Sequence, residues 1–223
     1  MSPANKSRNS RENVLGKIGK ATASVALDAS APANAYANLP RPYIRKGSMP
    51  SEAKIELLIE RLREYDAEVV ECSPAQLVDS IHKVISASGH HSLVAPPELP
   101  AAWMTPGVEW KLDRGMSDDE IEKTDGVVTA AFCAIADSGT IVLHHSTSEG
   151  RRVITLLPDW HLCILYASQV VETLPEYFAR AEQQPALVTW ISGPSATADI
   201  EMTRIKGVHG PRYLNVILVH DEA

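Results

Sequence analysis

From residue 51 onward the chain alternates two hydrophobic periodicities. Ile55, Leu58, Ile59 and Leu62 recur at the i, i+3, i+4, i+7 spacing with Glu, Arg and Lys between them, which predicts an amphipathic helix of about four turns. Glu68-Val69-Val70-Glu71 reads as a short strand. Ser73-Pro74-Ala75-Gln76 sets a hydroxyl three residues before a glutamine, with Pro at the first helical position. It launches a helix over Leu77, Ile81, Val84 and Ile85 that stops at Gly89. Ser92-Leu93-Val94-Ala95 is the next strand, closed by Pro96-Pro97. This helix–strand–helix–strand order predicts an α/β fold with an open, mostly parallel sheet covered by helices. A looser segment containing Trp103 and Trp110 follows, and Ser117-Asp118-Asp119-Glu120 repeats the capping pattern before a short helix.

Past residue 125 the apolar runs shorten to strand length: Val127-Val128, residues 130–136, 140–143 and 161–166. Residues 151–157 fit a helical turn or a strand equally well. Thr173-Leu174-Pro175-Glu176 caps a helix through Tyr177, Phe178 and Ala181. Residues 187–191 then read as a buried strand that breaks at Gly193-Pro194. The chain passes through Ser195 and Thr197 into Asp199-Ile200-Glu201-Met202, a candidate helix start. A strand ending in a hydroxyl-lined turn before a helix suits a polar or anionic ligand, because free N–H groups point outward there; a capped Gly-Pro turn is the plainer reading. Residues 213–219 form the last strand. Ahead of the body, Val14, Leu15, Ile18 and Val25 allow an amphipathic helix over residues 11–24, and residues 26–50 read as a linker. The expected organisation is a basic N-terminal extension and linker over 1–50 and one α/β domain over 51–223.

Charge sharpens that division. Residues 1–48 carry eight Lys/Arg against Glu12 and Asp28, a balance of +6, so with −7 overall the rest of the chain holds −13. A basic arm suits a flexible leader or a homo-oligomer contact. Without aromatic interleaving or a recognition-helix pattern, the sequence argues against nucleic acid. No apolar run approaches the ~20 residues of a membrane span. The three cysteines are widely spaced and suit buried thiols in a reducing cytoplasm, the expected location. The sequence has no HExxH, Cys/His cluster, GxGxxG or Walker motif, so neither a metal site nor a nucleotide site is expected, and no nucleophile elbow is present.

Five motifs in order carry a resemblance. They are Ala136-Asp137-Ser138-Gly139-Thr140; Gly150-Arg151-Arg152; Leu157-Pro158-Asp159 with His161; Ser192-Gly193-Pro194-Ser195 with Thr197, Ala198, Asp199, Ile200 and Glu201; and Gly207-Val208-His209-Gly210-Pro211 with Leu214. Over roughly residues 51–219 the sequence resembles the LUD domain family. The resemblance implies the α/β fold shared by glucosamine-6-phosphate isomerases, ribose-5-phosphate isomerases and CoA transferases. It also implies a role in oxidising L-lactate to pyruvate beside two iron–sulfur-cluster proteins, with no cofactor held by this chain and the clusters on the partners. The fold alone also admits a stand-alone isomerase, an acyl- or CoA-transferase, or a ligand sensor without chemistry. Ser138 stands where the family usually shows Thr, and Ala196 where Arg or Lys is common.

For the site, residues 137–140 are either a plain hairpin turn or a ligand loop facing 192–199 at the carboxyl ends of the strands, and the family's pattern favours the loop. The ligand, a small carboxylate or other anion, is expected to meet Ser138, Gly139, Thr140, Arg152, Ser192, Gly193, Ser195, Thr197 and Asp199. Arg152, rather than Arg151, is the candidate carboxylate clamp, and a solvated pair or a surface salt bridge is the alternative reading of the two arginines. His209 in its Gly-Pro turn and Asp137 are the candidate proton-handling groups, and His161 is read as a structural hydrogen-bonding residue, with proton transfer as its alternative.

Overall fold

The computed structural model describes residues 3–22, 30–40, 42–181, 185–197, 205–206 and 210–221. The chain divides into two compact units, residues 1–43 and 44–223. The first contains helices α1 (Pro3–Thr22) and α2 (Ser30–Ala37). α1 begins earlier than its apolar spacing predicted, and its stripe of Val14, Leu15 and Ile18 is exposed. α2 corrects the expectation of a linker without helix over 26–50. Its four alanines favour helix, and Pro32 falls in the first turn, where its missing N–H costs nothing.

The second unit runs α3 (Ser51–Glu64), β1 (Glu68–Cys72), α4 (Leu77–Ser88), β2 (Ser92–Ala95), β3 (Glu109–Leu112), α5 (Asp118–Glu122), β4 (Gly126–Ala130), β5 (Cys133–Ile135), β6 (Thr140–Leu143), β7 (Trp160–Tyr166), β8 (Val170–Val171), α6 (Leu174–Arg180), β9 (Thr189–Ile191), β10 (Ala196–Thr197), β11 (Ile205–Lys206) and β12 (Tyr213–Val219). Six strands form one sheet in the order β1-β12-β7-β4-β2-β3, and every neighbouring pair in it is parallel.

Side-chain alternation along β7 shows how this sheet is covered. Leu162 and Ile164 join Ile81 and Ile85 of α4, Leu93, Trp103 and Ile217 on one face. Cys163 and Leu165 join Ile55, Leu58, Ile59 and Leu62 of α3 on the other, with Val216 and Leu218 of β12. With both faces buried, β7 is nearly continuous in apolar residues, as central parallel strands require. The capping sequences act as read. Gln76 accepts the Ser73 N–H at 3.1 Å, Glu120 that of Ser117 at 2.8 Å, and Glu176 that of Thr173 at 2.8 Å. Gly89 ends α4 in the left-handed conformation, φ 72°.

The single-sheet expectation needs correcting. A second sheet, ordered β8-β5-β6-β9, takes the apolar run 130–136, of which only Ala130 belongs to the parallel sheet. Ala134, Ile141 and Leu143 of this sheet pack toward α3 and β7, while Cys133, Ile135 and Val142 meet Tyr177 of α6. The run 187–191 is an edge strand here rather than a buried one: Thr189 is buried, Ile191 half-buried and Trp190 43% exposed. Residues 196–197 do not lead straight into a helix, because they pair antiparallel with 205–206 in a small ribbon; the helix start read at Asp199 lies outside the described residues. β3 and the turn at 152–155 resolve segments the sequence left open.

Candidate functional site

Parallel register sets His161 of β7 beside Leu214 of β12, near the amino ends of both strands. Above them opens a cavity of about 400 Å³. Its walls are Arg152 and Thr155 from the 3₁₀ turn, residues 189–191 of β9, the 192–196 loop, Gly210 and Pro211. The hollow therefore lies at the amino ends of the central strands, a correction to the carboxyl-end crevice expected from open α/β sheets.

A partly buried loop, anchored at Glu149 and Gly150, delivers Arg152 to this cavity. His145 sits at φ 57°, its Nδ1–H donating to the Gly150 carbonyl at 2.9 Å while Nε2 takes the Thr189 hydroxyl at 2.7 Å. The buried Glu149 accepts from the Ser146 hydroxyl at 2.7 Å and from the His144 N–H. Gly150 holds φ 76°, and a Cβ there would come within 2.4 Å of Ile154. The loop's two arginines then part. Arg151 clamps the buried Asp113 through Nε at 2.7 Å and a terminal nitrogen at 2.6 Å. Arg152 turns back on its own 3₁₀ turn, giving one nitrogen to the Thr155 carbonyl at 3.0 Å and hydroxyl at 3.2 Å. It is half-buried, burial pulls its pKa down, and no carboxylate among the described residues pairs with it. A second cation could not stand there cheaply, and His161 shows the effect. Burial and then the Arg152 charge push its pKa down to about 3, so the ring is neutral.

The loop over the cavity is held from both sides. Gly193 adopts φ 85°, and a Cβ there would lie 2.4 Å from the Tyr65 Cβ. The Ser195 N–H donates to the Pro211 carbonyl at 2.8 Å. The 137–140 turn reaches this loop through hydroxyls, Ser138 to Thr140 at 2.7 Å and Thr140 to Ser192 at 2.8 Å. The two polar bends thus meet, but the hollow does not open between them. Asp137, Ser138, Gly139 and Thr140 are absent from its walls, and Gly139 backs onto α3, where a Cβ would meet that of Arg61 at 2.6 Å.

Of the candidates, Arg152, Ser192, Gly193 and Ser195 line the cavity. Thr197 is described through its backbone in β10, and Asp199 and His209 lie outside the described residues. Sequence reasoning left out Thr155, Thr189 and Trp190 and preferred a structural role for His161 over proton transfer. The usable signal for His161 was its alternation with Cys163 and Leu165, which aims all three at one face. A wider groove of about 1050 Å³ opens on the α4 side, but Asp66, Glu68, Glu71 and Asp79 against Lys83 make it unsuited to an anion. Among the described residues no group of three His, Cys, Asp or Glu is placed to hold a metal ion, and no helix is long and apolar enough to cross a membrane.

The fold and site define a parallel-sheet α/β domain with an arginine in a small cavity, paired with no carboxylate among the described residues. The LUD domain model matches residues 55–219, and the chain belongs to the LUD domain family. It is similar to Lactate utilization protein C of Deinococcus radiodurans, 37% identical over 164 residues that cover 72% of this chain and 76% of the relative. The protein of the same name from an Exiguobacterium species is 31% identical over 231 residues, covering 95% and 96%. Among solved structures, a DUF162 family protein from Deinococcus radiodurans matches with a TM-score of 0.64 at 30% identity, covering 77% of this chain and 99% of that one.

Proposed function

We propose that this chain is a component of a lactate-utilisation system and that its cavity binds a small carboxylate of the lactate–pyruvate type through Arg152. The observation that carries the reading is the half-buried Arg152 guanidinium, without a carboxylate partner among the described residues, in a cavity of about 400 Å³. A buried cation is costly unless paired, so the site is complementary to an anion that completes it. The relatives' name supplies the rest. Converting lactate to pyruvate removes two electrons and two protons. In this reading the acceptors are iron–sulfur clusters on two partner proteins, since Cys72, Cys133 and Cys163 are each buried in separate packing positions.

Two measurements test this. Calorimetric titration of the full chain with L-lactate and with pyruvate should give binding that Arg152→Gln weakens about 30-fold or more, the loss expected on removing one partner of a desolvated charge pair. Deleting the gene should abolish growth on L-lactate and leave growth on glucose intact. Normal growth on L-lactate would remove the pathway role, and unchanged binding by the Arg152 variant would remove the site.

A further inference from the structure

His161 is 1% exposed and forms part of the cavity wall beside Arg152. Its Nε2 lies 2.8 Å from the Thr129 hydroxyl. Its other nitrogen, Nδ1, makes no hydrogen bond among the described residues and is not one of their sealed unpaired atoms, which are the Ser92 and Thr105 hydroxyls, so it borders open space. A buried polar side chain is normally paired, and an unpaired nitrogen in the wall of a cavity points to an atom the ligand brings. His145, by contrast, has both ring nitrogens engaged.

The Thr129 hydroxyl decides which role Nδ1 can take. When Thr129 donates to Nε2, the ring proton sits on Nδ1, which then donates. When Nε2–H donates to Thr129 instead, that hydroxyl can turn its own hydrogen toward Cys163 Sγ, 4.0 Å away. Nδ1 is then a lone pair and accepts. The two arrangements differ by a proton shift within a neutral ring and a hydroxyl rotation, with no change in net charge.

We propose that His161 Nδ1 binds the oxygen on carbon 2 of the ligand, and that the Thr129 hydroxyl lets one pocket hold both a 2-hydroxy acid and its 2-oxo product. The hydroxyl donates to Nδ1 in one tautomer, and the oxo oxygen accepts from Nδ1–H in the other. The inference rests on the carboxylate reading of Arg152 and adds the group that reads the neighbouring carbon. Burial first, and the Arg152 charge second, hold His161 toward its neutral form.

The test is titration of the full chain with L-lactate, pyruvate and propionate, which share the carboxylate while propionate lacks the second oxygen. L-lactate and pyruvate should each bind about 10-fold more tightly than propionate. His161→Phe should bring all three within about 2-fold while keeping the propionate affinity. If that variant does not fold, ¹⁵N-histidine spectra of the wild type serve instead. The His161 Nδ1 signal should be of protonated type with pyruvate and of unprotonated type with L-lactate. Equal affinity for the three acids, or an Nδ1 signal indifferent to which is bound, overturns the role of His161 and leaves the Arg152 reading standing. Failure of all three to bind, or binding unaffected by Arg152→Gln, overturns both.

Discussion

Substituting Gly193 by Ala tests what holds the loop over the cavity. Two costs add. The backbone stands at φ 85°, where an L-residue pays about 1–2 kcal/mol. The new Cβ would sit 2.4 Å from the Tyr65 Cβ and 3.0 Å from the Tyr65 carbonyl oxygen, which are main-chain-fixed atoms that cannot swing away. Forcing a methyl into such a contact costs about 1–3 kcal/mol. Together these set about 3 kcal/mol, or about 6–12 °C in Tm for a chain of this size. Gly107 supplies a matched control, because it has the same φ of 85° with nothing within 4 Å of its would-be Cβ. Gly107→Ala should therefore show the backbone cost alone. Differential scanning calorimetry of both variants isolates the packing of α3 against the loop. If Gly193→Ala is no more destabilising than Gly107→Ala, and carboxylate binding is unaltered, the loop is not held by Tyr65.

Other expectations follow from the buried groups. His161 has its pKa lowered from 6.5 to about 3 by burial, so the unfolded chain takes up a proton that the folded one refuses as pH falls through that window. Its contribution is fully present above pH 6.5 and drains at up to about 1.4 kcal/mol per pH unit below it. Tm measured from pH 7 to pH 4 should accordingly fall less steeply in His161→Gln than in wild type; identical slopes would mean that the ring is not buried neutral. Burial raises the pKa of Asp113, but the bonds from Arg151, Gly115 and Met116 together win and leave it below the ordinary 3.8. That stabilisation is full above 3.8 and is lost as pH falls through the lower folded value, so Asp113→Asn should cost about 2 kcal/mol at pH 7 and less at pH 3. A constant gap between the two proteins would contradict it. Burial pushes Cys133 and Cys163 up to about 12 and also raises Cys72. A thiol reagent at pH 8 should label the native chain far more slowly than the unfolded one, and rapid native labelling of Cys133 or Cys163 would show the cores around them to be open.

What could be read in advance was local. The α3 stripe, the three capping sequences and Gly89 are decided by residues within a turn or two of one another, and each element formed where its pattern lay. What could not be read was which strands pair. Residues 130–136 look like one apolar strand, yet the chain changes sheets after Ala130, and nothing within that run marks the change. β3 was missed because its Glu109 and Lys111 alternate with Trp110 and Leu112 on a sheet edge, where a half-polar strand is stable but resembles a loop. The site shows the same division. Arg152 could be preferred to Arg151 from the sequence, but that Asp113 takes Arg151 is a contact across 38 positions. The 137–140 turn was legible as a turn, while its seat against α3 rather than against the cavity depends on the second sheet. His161 was visible as a residue of the strand, and its free nitrogen only as a consequence of where Thr129 stands.

The most direct examination of the central claim is a crystal structure of the full chain grown with saturating L-lactate. The account predicts the lactate carboxylate on Arg152, within hydrogen-bond distance, in the hollow bounded by His161 and the 192–196 loop. Lactate bound elsewhere on the chain, or an unoccupied cavity at saturation with Arg152 folded against Thr155 as before, would contradict it.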